Sequence, residues 1–139
     1  MRKYAIAAAV MVVAATSVSL AQPAPPPGPT VVRTTLMAED APGGNTMSMV
    51  QVTIPPGGRE GRHIHSGPLI VHVISGAFTL DYESKPTITY KAGETFYVEA
   101  GKQHEGHNIG TVDAVGIAEF VTPKGAPLTT QVAAKYVRK

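Results

Sequence analysis

Two of the five histidines stand together as His63-Ile64-His65. On a strand, positions i and i+2 project from the same face and lie roughly 6.5 Å apart. That spacing lets two imidazoles converge on one ion, with metal–nitrogen bonds of about 2.1 Å, while Ile64 turns to the other face. A lone pair of this kind also occurs on protein surfaces, so its surroundings decide its meaning. Arg59 and Arg62 flank the pair. Both fit a solvated strand edge, and an arginine at the mouth of a site can also hold a carboxylate. No Ser/His/Asp order, phosphate loop or paired-carboxylate pattern stands out, and Glu94, Glu99 and Glu105 read as solvated.

Around the pair, glycines fall at set distances from the histidines. Gly57 precedes His63 with five residues between, and Gly76 follows an apolar run. Further along come Gly93, Gly101, His104 and Asn108. In this arrangement the chain resembles the cupin superfamily. That family's first motif runs Gly, five residues, His-x-His, three or four residues, Glu, six residues, Gly; here it reads Gly57, His63, His65, Leu69, Gly76. The second motif reads Gly93, Glu99, Gly101, His104, Asn108, with Glu99 where the family has Pro. The resemblance spans roughly Met49 to Val121. It implies an all-β fold, a cupin-type double-stranded β-helix or jelly-roll barrel. It implies one divalent metal ion on His63, His65 and His104, and a homodimer formed by exchanging or extending edge strands.

Leu69 is the consequential departure, because the family's Glu completes a three-histidine, one-carboxylate site and Leu cannot ligate. Three neutral imidazoles leave a divalent ion its full charge, which favours anionic ligands, and leave up to three coordination positions open. Open positions suit Fe(II) oxygen chemistry, although Fe, Mn, Ni, Zn and Cu are not distinguished by this donor set. His72 has the parity opposite to Leu69 and is expected to pack in an apolar interface. His107, three residues past His104, is expected at the rim or surface, with a substrate contact as its less favoured role. Asn108 shares the face of His104 and is expected to orient a ligand or fix the strand. Asn108, Arg62 and His107 are therefore the candidate substrate-side residues, and no catalytic residue is assigned.

The elements that must position these groups are short strands. Thr30–Met37, Thr46–Ile54, Leu69–Ile74, Ala77–Tyr82, Thr87–Tyr90, Thr95–Val98 and Val112–Val121 carry β-branched or alternating apolar residues between Gly/Pro turns, a pattern of sandwiches and barrels. Val50, Val52 and Ile54 fall on one face. Leu69–Ile74 is apolar on both faces, as expected of a strand buried on two sides. Phe78, Tyr82, Tyr90, Phe96 and Tyr97 read as core or cavity lining. Only Gln131–Arg138 has a weak helical pattern.

The ends of the chain read differently. Arg2 and Lys3, the apolar run Tyr4–Val13 and the small residues up to Ala21 have the layout of a secretory signal peptide over residues 1–21. The run is short for a membrane span of about 20 residues. Residues 22–29, QPAPPPGP, read as an extended tether, and residues 30–139 as a single domain. Cleavage removes two basic residues, taking 12 Lys+Arg to 10 against 10 Asp+Glu. The neutral remainder has no clustered basic patch for nucleic acid, and no membrane association is expected after cleavage. Without cysteine, neither a disulfide nor a cysteine-linked lipid is available. The expected location is the periplasm or beyond, and the expected partner a small molecule. Two functions fit: a metal-dependent oxidoreductase of dioxygenase type, and a non-catalytic module that binds or senses a small molecule or metal.

Overall fold

The computed structural model describes residues 28–132, and all of its regular elements are strands. The signal peptide, most of the proline-rich tether and residues 133–139 lie outside the described residues. Ten strands run in order: β1 Val32–Ala41, β2 Asn45–Ile54, β3 His63–Ile64, β4 Leu69–Ser75, β5 Ala77–Tyr82, β6 Ile88–Lys91, β7 Thr95–Val98, β8 His104–His107, β9 Ala114–Pro123 and β10 Thr130–Gln131. They form two five-stranded sheets, ordered β1-β2-β9-β4-β7 and β10-β3-β8-β5-β6, with antiparallel pairings. Sequence-adjacent strands repeatedly cross between sheets, which is the double-stranded β-helix expected.

Alternation builds the core. Val50, Val52 and Ile54 of β2 are buried, as are Leu69, Val71 and Val73 of β4 and Ala118 and Phe120 of β9. Phe78, Leu80 and Tyr82 of β5 complete the opposite wall. Burying each such side chain contributes roughly 1.5–3 kcal/mol, so a one-residue slip of register would cost the whole inward set of a strand. The β4–β5 turn depends on Gly76: its φ is +67° and a Cβ there would collide with the Asp113 carbonyl.

The outer face of β4 is exposed in the single chain, with Ile70 at 47% and Ile74 at 52%. His72 accordingly sits in the open in the single chain, its Nδ1 2.9 Å from Thr95 Oγ1, with no apolar neighbour layer from within the chain covering it. Apolar content alone does not reveal burial when one sheet face carries isoleucines into solvent. Tyr97 is also exposed, because in β7 only Phe96 and Val98 have inward parity.

Candidate metal centre

The three histidines come together from both motifs. β3 and β8 pair so that His63 lies directly opposite His104, and His65 follows two residues on from His63, on the same side. Ring centroids are 4.3 Å apart for His63 and His104, and 4.8 Å for each of the other two pairs. All three rings are buried, and one nitrogen from each lies within 4.8 Å of the others.

Each ring is anchored from behind. His63 Nδ1 lies 2.7 Å from the Gly61 carbonyl, His65 Nδ1 2.6 Å from that of Leu128, and His104 Nδ1 2.9 Å from that of Lys102. A carbonyl can only accept, so every Nδ1 carries the proton and donates it. Each neutral ring is thereby held as the tautomer whose Nε2 is a bare lone pair. His65 and His104 bring these lone pairs to 3.1 Å, a separation that neither nitrogen can satisfy as a donor. Ligands about 2.1 Å from one ion and roughly at right angles lie about 3.0 Å from each other, so the pair fits adjacent positions on a cation.

Electrostatics agrees with the geometry. Burial pushes the His65 ring down to about 4, against the opposing pull of its Leu128 hydrogen bond, with further lowering by His63 and Arg33. Burial likewise pushes His104 down to about 3. Both rings are neutral at pH 7, the form that ligates a metal. Three acceptors left without donors in a largely apolar interior would each cost about 1–3 kcal/mol, and a bound cation removes that cost. The donor set therefore fits a divalent ion.

Above the histidines lies a cavity of about 230 Å³, walled by β2, β4, β5 and β9 and reached by Arg33, Glu60 and Thr129. Leu69 lines it with inward parity and is buried. The position of the family's carboxylate thus lines the same cavity as the histidines with a side chain that cannot ligate.

The other candidates do not reach this space. Asn108 is buried and fixes the loops: Nδ2 donates to the Ile54 and Val112 carbonyls, both at 2.8 Å, and Oδ1 accepts from Gly110 N. These bonds tie the end of β2 to the loop that follows β8. His107 has the opposite parity to His104, as expected, but is buried at 8% exposure and lies 3.9 Å from the Asp81 carboxylate. It is neither rim nor surface, and a substrate contact would have to cross the sheet. Arg62 is half-buried, has no hydrogen-bond partner for Nη1 among the described residues, and does not line the cavity. Arg59 lies outside the barrel, with Nε and Nη2 each 2.9 Å from a Glu105 oxygen; Glu105 is thereby ion-paired and not simply solvated. Arg33 and Glu60, which do reach the cavity, escaped sequence reasoning. Glu60 lies in a glycine-rich loop without periodicity, and the inward parity of Arg33 is legible only once β1 is paired with β2.

The Cupin domain family matches residues 50–118. No curated relative matches the chain. Among solved structures, an uncharacterized conserved protein with a double-stranded β-helix domain from Klebsiella pneumoniae is 20% identical, with a TM-score of 0.59 over 73% of this chain and 84% of that one. A DMSP lyase from Ruegeria pomeroyi is 14% identical, with a TM-score of 0.65 over 77% of this chain and 54% of that one. An oxalate oxidase is 24% identical, with a TM-score of 0.62 over 77% of this chain and 57% of that one. At these identities the likeness is one of fold. With two jelly-roll sheets, both histidine motifs in register and the family match across the barrel, the chain belongs to the cupin superfamily.

Proposed function

We propose that the chain is a metal-dependent oxidoreductase of dioxygenase type acting on a small organic molecule, with one divalent ion held by His63, His65 and His104. The observation that carries this reading is the convergence of three Nδ1-anchored imidazoles on the wall of one cavity. A bound ion with three histidine ligands keeps open positions for substrate and oxygen and supplies Lewis acidity there. The chain's own contribution is to aim the three rings, to hold His65 and His104 neutral, to surround the ligand with mainly apolar side chains, and to admit it from the Arg33 side. The fold neighbours include both an oxidase and a lyase, so the fold by itself does not choose the reaction.

A non-catalytic binding module is the second reading, and Leu69 favours it, since a ligand position of the family is apolar here. Oxygen uptake separates the two: metal-loaded protein is mixed with catechols, flavonols and small thiols. Turnover supports the enzyme; about one ion per chain with no turnover across the panel supports the binder. The same reading includes export, tested by whether the chain purified from the producing cell begins at Gln22. It also includes a homodimer, supported by the exposed outer sheet face of Met47, Ile70, Ile74, Tyr97 and Val121, since broad exposed apolar patches mark association sites. A monomeric mass in solution would remove that part.

A further inference from the structure

The cavity contains one ion pair that the histidines do not account for. Arg33 lies opposite the buried Val52 in the β1–β2 ladder and so points inward. Glu60 comes from the loop between β2 and β3, where its backbone N–H donates to the Gly106 carbonyl at 2.9 Å. Its carboxylate lies against Gly106: any Cβ there would collide with Glu60 Oε2. Gly106 is two residues beyond His104 in β8, hence on the same face. The missing side chain is thus the niche that brings a carboxylate onto the wall beside the histidines. Glu60 Oε1 accepts from Arg33 Nη2 at 2.7 Å, and the Glu60 side chain is only 13% exposed. Oε2 has no hydrogen-bond donor among the described residues.

We propose that Glu60 is the ligand-orienting residue of this cavity. Its Oε2 accepts a hydrogen bond from a hydroxyl or N–H group of a small, mainly apolar molecule whose other end faces the histidines. Arg33 holds the carboxylate in place through Oε1. Apart from the histidines, Arg33 and the hydroxyls of Thr35 and Thr129, the wall is apolar, so the Glu60 carboxylate is its one anionic acceptor and favours donor-bearing ligands over those that lack the donor. Size sets a second limit. A cavity of about 150 Å³ admits benzene, so about 230 Å³ suits one ring with a few substituents. The ligand class is then a hydroxylated or amino-bearing one-ring molecule. This inference rests on reading the cavity as the ligand site.

The test measures binding of catechol, and of 1,2-dimethoxybenzene as its donor-free analogue, by anaerobic calorimetry. Wild type, Glu60→Ala, Glu60→Gln and Arg33→Gln are compared, each with Mn(II) and each metal-free, with circular dichroism as the check of folding. Glu60→Ala is expected to weaken catechol by about tenfold or more, as for loss of a hydrogen bond to a charged group. The dimethoxy analogue and the Mn(II) stoichiometry should hardly change. Glu60→Gln, which keeps an acceptor, and Arg33→Gln, which frees the carboxylate, should fall between. Equal catechol affinity in wild type and Glu60→Ala overturns the inference. So does an equal loss for both probes, or no catechol binding in any form. If wild type retains no Mn(II), the metal centre fails by itself, and the metal-free comparison still decides the role of Glu60.

Discussion

Acidifying the metal-free protein from pH 7 to pH 5 should destabilise it by about 4 kcal/mol. His65 and His104 are held well below 6.5, at about 4 and about 3, chiefly by burial. In the unfolded chain both rings take up a proton near 6.5. Between pH 6.5 and pH 5 the unfolded state therefore binds protons that the folded state refuses, and stability falls with pH. At pH 5, 1.5 units below the unfolded value, each ring contributes about 2 kcal/mol at about 1.36 kcal/mol per unit. The figure is insensitive to where below 5 the folded values lie. The effect fades out as the pH rises about one unit past 6.5 and continues to grow on acidification until the pH passes through the folded values. Ordinary carboxylates remain largely charged down to pH 5, and the carboxylate of Glu83 is held below its usual range by Lys102, so the window belongs to the histidines. The chain has no Trp, so urea unfolding is followed by far-ultraviolet circular dichroism. A His65→Gln/His104→Gln double variant should lose most of the dependence. Unchanged unfolding free energy between pH 7 and pH 5 would show that the rings are solvated and would refute the packing on which the centre depends.

Two further outcomes follow from the same contacts. Asn108→Ala strands the Ile54 and Val112 carbonyls and the Gly110 amide, and should cost about 2–4 kcal/mol in urea unfolding while leaving the metal stoichiometry of the folded protein unchanged. Leu69→Glu places a carboxylate on the cavity wall. It should destabilise the metal-free protein by about 3–5 kcal/mol as an unpaired buried charge, and should strengthen Mn(II) retention in a chelator competition; weaker retention would mean that position 69 does not face the ion.

Much of this was legible before any coordinates, for identifiable reasons. Alternation placed Val50, Val52 and Ile54 in the core, and all three are buried. The run Thr95–Val98 matches β7 residue for residue. His63 and His104 lie on strands only two and four residues long, and His65 lies just past the first; these are too short to carry a periodic signal, so motif spacing and not pattern located them. What escaped was set by pairing. Strand β1 extends to Ala41, beyond the expected end at Met37, because its partner β2 continues the ladder as far as Asn45. The exposure of Ile70 and His72 depends on which sheet face is covered, which composition does not encode. Burial of His107 and entry of Glu60 both depend on contacts across β8, set by residues more than 40 positions away in the chain.

The most direct measurement is the metal content of the purified chain, by elemental analysis after reconstitution with a divalent ion and removal of the excess, beside a His104→Ala variant. Close to one ion per chain is expected for wild type and close to none for the variant. An empty wild-type protein, or full retention by His104→Ala, contradicts a centre built on His63, His65 and His104.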